Sequence, residues 1–96
     1  MVFDVSKVTG IGDFTTKKEK DRELCFKNDH VFLVINKSTI EVRSDHELIR
    51  TLIEKYESVM ESRYFGRGGI EIVLAGKQFT TDELNDLVRL SYNLTD

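Results

Sequence analysis

Val31-Phe32-Leu33-Val34-Ile35-Asn36-Lys37-Ser38-Thr39-Ile40-Glu41-Val42-Arg43 is the stretch on which the fold turns. Its first five residues are an unbroken run of β-branched, aromatic and aliphatic side chains, and its last five alternate polar with apolar, so both ends read as strands. Asn36-Lys37-Ser38 has the length of a hairpin loop between them. Beyond it the period changes. Ser44-Asp45-His46-Glu47 matches the capping box S-x-x-E, in which the Ser oxygen accepts from the N3 amide and Glu reaches back to the cap amide. Leu48, Ile49, Leu52, Ile53, Tyr56, Val59 and Met60 then recur at helical spacing, with Glu47, Arg50, Glu54, Glu57 and Glu61 opposite. The pattern predicts a surface helix from Ser44 to about Glu61, laid on a sheet.

Downstream, the three glycines between Tyr64 and Gly69 cannot continue that helix cheaply and predict a turn. Ile70 to Ala75 reads as a third strand, ended by Gly76-Lys77. Thr80-Thr81-Asp82-Glu83 supplies a second capping box, and Leu84, Leu87, Val88, Ser91 and Leu94 stripe a final helix running to the C-terminus. Tyr92 falls at the margin of that stripe, as a packing residue with its hydroxyl at the surface. Upstream, Val2–Val5 and Arg22–Lys27 are candidate strands, while Lys17 to Glu23 mixes charges without an apolar period and reads as a solvated loop. The class is α+β: an antiparallel β-sheet with two amphipathic helices packed on one face.

A chain of 96 residues, 40% apolar and 32% charged, suits one ordinary globular domain spanning 1–96. No apolar run approaches the roughly 20 residues of a membrane span. The first residues show neither a basic n-region nor an apolar h-region, so no secretory signal and a cytoplasmic address are expected. Cys25 stands alone, which excludes an internal disulfide and a cysteine zinc site; between Leu24 and Phe26 it reads as a small buried hydrophobe. His30, half-buried before its strand, and His46, exposed in the first helical turn, have no third ligand near them, so no metal site is expected. The row Glu47, Glu54, Glu57 and Glu61 reads as a solvated helix face, because a hard cation needs six or more oxygens converging from several elements. Nothing resembles a catalytic constellation or a cofactor motif, and the chain is not expected to be an enzyme.

Three blocks carry a likeness to a known family: Val31 through Arg43, Leu52-Ile53-Glu54-Lys55-Tyr56-Glu57-Ser58-Val59-Met60, and Leu87-Val88-Arg89-Leu90-Ser91-Tyr92-Asn93-Leu94-Thr95. In order, spacing and wording they resemble the MmcQ/YjbR family over about residues 30–96, and the glycine after the last strand and the Thr80-to-Glu83 cap fall where that family has them. The resemblance implies a fold of the CyaY-like or double-wing kind and a bacterial-type DNA-binding role without enzymatic activity. Two departures stand out. The family's opening helix has no counterpart in the periodicity of residues 1–29, which look divergent or shortened. The aromatic that many members place at the start of the strand after the glycines is replaced here by Gly69 or Ile70.

The charge pattern bears on that role. The net charge is −3, with eight Lys/Arg against seven Asp/Glu in residues 1–43 and six against ten in 44–96. Such a balance weighs against strong non-specific nucleic-acid binding. Within the acidic half, residues 62–79 hold Arg63, Arg67 and Lys77 against Glu71 alone, and together with Lys37 and Arg43 these three are the expected nucleic-acid contacts on the sheet side away from the helices. Gly66, Gly68 and Gly69, flanked by Arg63, could aim backbone amides into an anion-binding nest; the plainer reading is a turn joining helix to strand. Tyr64 and Phe65 just before them could stack on an unpaired base. The alternative is a protein-interaction or homodimerising domain that binds another protein, or itself, through an exposed sheet face or strand edge.

Overall fold

The computed structural model describes residues 3–96. Among them six strands form one antiparallel sheet: β1 (Thr15–Lys18), β2 (Arg22–Lys27), β3 (His30–Asn36), β4 (Thr39–Arg43), β5 (Val59–Ser62) and β6 (Gly66–Val73), in the spatial order β1-β2-β3-β4-β6-β5. Two helices, α1 (His46–Lys55) and α2 (Thr81–Leu94), cover one face, α2 over β3 and β4 and α1 over β5 and β6. The expected α+β class is what is found.

The apolar run of β3 is buried on both faces, and a bulge decides which side chain enters which face. Cys25 lies opposite Leu33 but Phe26 lies opposite Val31, so Phe32 is an extra residue in β3. Phe32 and Leu33 therefore both enter the helix-side core with Ile40, Val42, Ile70 and Ile72, while Val31 and Val34 join a smaller cluster with Leu24 on the opposite face. A bulge interrupts the ladder, and the backbone groups it strips must find other partners. Ser91 of α2 supplies them: its hydroxyl donates to the Phe32 carbonyl at 2.6 Å and accepts from the Arg43 amide at 2.7 Å. Beside it Tyr92 packs edge-to-face on Phe32, with ring centroids 5.0 Å apart. Its hydroxyl does not reach the surface as expected; it donates to the Asp13 carbonyl at 2.8 Å, tying down the N-terminal segment.

Among its described residues that segment holds no helix beyond the single 3-10 turn Val5–Lys7 where a strand over Val2–Val5 was expected; Val2 lies outside the described residues. Instead Phe3, Val5, Val8, Ile11 and Phe14 line the core beside α2.

Four other expectations need correction. The first helix ends at Lys55, and Val59 to Ser62, expected within it, form edge strand β5 on β6. Val59 and Met60 satisfy both helical and strand periods, and pairing with β6 decides between them, burying Val59 opposite Ile72. The helix is capped not by Ser44 but by Asp45, whose Oδ1 accepts from the Leu48 amide at 2.9 Å. The Ser44 amide is bound to the Gly68 carbonyl at 3.0 Å, which holds Ser44 in the sheet and moves the cap one residue on. The supposed loop 17–23 is the β1–β2 hairpin; β1 is an edge strand exposed at all four residues, so no apolar period marks it. The last strand starts at Gly66, inside the expected turn, and stops at Val73, with Leu74–Gly76 a 3-10 turn. By contrast, the Thr80–Glu83 capping box is present in full.

Candidate functional site

On the face without helices, the register places Lys17, Leu24, Val34, Glu41, Glu71 and Met60 in one row across all six strands. Its fourth and fifth members, Glu41 and Glu71, are carboxylates from adjacent strands, 2% and 1% exposed. Bare burial of such a pair would be costly, so the question is what holds each charge.

Glu71 is held by a cation. Arg63 donates to it through Nε at 2.9 Å and Nη2 at 2.7 Å, and the Thr39 hydroxyl donates at 2.7 Å. Burial pushes the Glu71 carboxyl up, but the bonds from Arg63 and Thr39 outweigh it and leave the pKa below the ordinary glutamate value. Glu41 is held by neutral donors instead. Its Oε1 accepts from the Ser62 hydroxyl at 2.8 Å and the Tyr64 amide at 2.9 Å, and its Oε2 from Asn36 Nδ2 at 2.8 Å.

These bonds explain the path of the chain. After β5 the segment Arg63 to Phe65 curls back over the sheet, pinned at both glutamates, and Gly66 with φ of 63° turns it into β6. Phe65 rests on the Leu24, Val31 and Val34 cluster, with the Arg43 guanidinium 4.8 Å from its ring centroid. Gly69 is required by that packing: a Cβ there would sit 2.5 Å from the Val42 carbonyl and 2.8 Å from Phe65 Cβ.

Between this turn and the β1–β2 hairpin lies an open cleft of about 570 Å³, with Asn36 and Glu41 among its lining and Arg22, Arg63 and Tyr64 around it. Tyr64 is 40% exposed, and the Arg22 guanidinium lies 5.3 Å from its ring centroid. Glu19, Lys20 and Asp21 of the hairpin also line the cleft, with Arg22 Nε donating to Glu19 at 2.8 Å, and Lys37 lines an adjoining one that shares Arg22 and Asn36. A separate apolar groove of about 330 Å³ runs between the helices, lined by Leu52, Tyr56, Phe79 and Leu87 among others.

The sequence-derived contact residues do not gather in one place. Arg63 is in the cleft and Lys37 beside it. Lys77 follows β6 at the Lys37 end of the sheet, whereas Arg43 and Arg67 lie at the other end, about 20 Å away at 3.3 Å per strand residue. The glycine turn makes no open nest: the Gly68 amide donates to the Phe65 carbonyl and its carbonyl accepts from Ser44. The acidic row is dispersed, since Glu57 is in a turn and Glu61 in β5. His30 is exposed where half-burial was expected. Among the described residues no three His, Cys, Asp or Glu are grouped to hold a metal ion, and no helix is long and apolar enough to cross a membrane.

Sequence reasoning missed Lys20, Arg22, Asn36 and Glu41. The available signal was a charge in the middle of each of two apolar strands, Ile40-Glu41-Val42 and Ile70-Glu71-Ile72. No protein-family model matches this chain, and no curated protein or solved structure is significantly similar to it.

Proposed function

We propose that the chain is a non-catalytic nucleic-acid-binding module that meets DNA on the helix-free face of its sheet. The carrying observation is Tyr64, an exposed aromatic between Arg22 and Arg63 at the mouth of the cleft. Bases stack on such a ring whatever their identity, and nearby cations neutralise phosphates. The distribution of charge supports it. Strand-bearing residues 15–43 and 59–79 carry ten Lys/Arg against seven Asp/Glu, and helix-bearing residues 44–58 and 80–96 carry three against eight. The acidity that argues against nucleic acid is thus concentrated in the helical segments. Kinship with the MmcQ/YjbR family and a cytosolic address belong to the same proposal, the first resting on the blocks quoted above. The second rests on Cys25, a free thiol that a reducing compartment suits.

Fluorescence anisotropy with labelled single-stranded and duplex oligonucleotides tests the reading. Single strands are expected to bind more tightly than duplex, with affinity falling steeply as salt rises and weakening in Tyr64→Leu and Lys20→Ala. No binding of either at low salt overturns it.

A self-associating domain is the second reading, favoured by exposed apolar residues toward the β5 edge: Met60 on β5 is 41% exposed and Ile53 on α1, which packs on β5, is 38% exposed. A dimer by light scattering that Met60→Lys dissolves would favour it, and a monomer at all concentrations would remove it.

A further inference from the structure

We propose that the cleft prefers guanine, an inference that rests on the nucleic-acid reading and specifies the base. Most polar hydrogens at the floor are already used. Asn36 Nδ2 donates both to Thr39 Oγ1 at 2.9 Å and to Glu41 Oε2 at 2.8 Å. Because a carboxylate only accepts, the nitrogen of the Asn36 amide must face Glu41, and its oxygen is left over. The Thr39 hydroxyl is given to Glu71, and the Ser62 hydroxyl and Tyr64 amide to Glu41 Oε1. These neutral donors are all spent inside the sheet, and of this network only the Arg63 guanidinium at the cleft wall keeps N–H groups to spare. What remains for a ligand at the Asn36 and Glu41 floor is acceptor capacity: the Asn36 amide oxygen and a lone pair on Glu41 Oε2, which carries one bond where Oε1 carries two.

A floor of acceptors selects for a ligand edge made of donors. On its Watson–Crick edge guanine offers N1–H beside the N2 amino group, two adjacent donors. Adenine and cytosine each set one amino donor beside a ring acceptor, and thymine flanks its single N3–H with carbonyls. Against this floor, each of those three would bring acceptor to acceptor and leave buried polar groups unpaired, the arrangement that discriminates most strongly. The edge is free only in a single strand or a free nucleotide. The rest of the cleft fits that ligand: Tyr64 offers a stacking face, Lys20 offers charge to phosphate with Arg22 and Arg63 beside it, paired to Glu19 and Glu71, and about 570 Å³ lies within the usual size range of small-ligand sites.

The test uses the full chain and short labelled oligothymidylates carrying one central guanine, hypoxanthine, adenine or cytosine, with dGMP as unlabelled competitor. Guanine is expected to bind about tenfold tighter than adenine or cytosine. Hypoxanthine, which lacks the N2 amino group, should fall between. Glu41→Gln, which puts an amide donor into the floor while keeping its shape, should level the series; a melting curve checks that it folds, and the wild-type comparison stands without it. Guanine preference with effective dGMP competition identifies a free nucleotide as the ligand, and preference without competition identifies a single strand; either supports the proposal. Equal, salt-dependent binding of all four bases overturns the guanine preference and leaves the sheet-face reading standing. Failure of every probe to bind overturns both.

Discussion

Leu33, Val42 and Ile70 lie side by side across three strands on one face of the sheet, and Val34, Glu41 and Glu71 lie side by side across the same strands on the other. The first row is hydrocarbon under two helices. The second has two carboxylates under a returning turn, one paired with the Arg63 cation and the other held by neutral hydrogen-bond donors. Apolar burial stabilises without regard to direction, whereas a buried polar network fixes particular atoms at particular distances and adds little net stability. The helix-side face therefore holds most of the folding energy and the other face holds the geometry on which a ligand would depend.

The largest expected effect breaks the helix-side face. Phe32 is fully buried at the bulge, edge-to-face with both Phe14 and Tyr92. Phe32→Ala should cost about 3–5 kcal/mol in urea unfolding, a large share of the stability of a domain this size. Next is Ser91→Ala, which leaves the Arg43 amide and Phe32 carbonyl unpaired beneath α2. A loss of roughly 2–3 kcal/mol is expected, and a loss no greater than an exposed serine's would show that the bulge is stabilised by something else.

A smaller effect, with a pH signature, should come from the polar face. Thr39→Val removes the hydroxyl bond to Glu71 and should cost roughly 1.5 kcal/mol at neutral pH. Because the folded-state pKa of Glu71 is depressed, its contribution is present above the ordinary glutamate pKa of about 4.3 and is lost as pH falls through the lower folded value. The gap between wild type and variant should therefore close in acid, where the neutral carboxyl no longer rewards the bond. Stability measured from neutral pH downward would show this, and a constant gap would contradict the charge assigned to Glu71. The helix-side thiol offers a contrast: burial pushes Cys25 up to about 12, so it should resist alkylation until the chain unfolds.

The helix-side architecture was legible because it repeats. Ile40, Val42, Ile70 and Ile72 alternate, Leu84, Leu87 and Val88 recur at helical spacing, and the Thr80 cap is local in sequence. The cleft was not legible, for reasons that are equally physical. Edge strand β1 is solvated on both faces, so TTKK carries no apolar period and its hairpin looked like a loop. Glu41 and Glu71 are 30 positions apart in the sequence, and only the β4–β6 register puts them opposite each other. The bulge at Phe32 depends on a hydroxyl 59 residues away, a separation that no local pattern encodes.

The smallest expected effect sharpens the boundary between the faces, at the start of α1. Two adjacent residues compete to cap this helix, and the sequence favours Ser44 because Glu47 completes its capping box. In the structure Ser44 belongs to the sheet through its amide bond to Gly68, and its buried hydroxyl has no partner. Asp45 caps, and its negative charge also suits the helix N-terminus. Asp45→Ala should thus cost about 1 kcal/mol, while Ser44→Ala should cost nothing measurable, since the change removes an unpaired buried hydroxyl and no bond. Thermal melts of the two variants side by side decide it. If Ser44→Ala proves the costlier, the helix begins one residue earlier and β4 no longer extends to meet Gly68.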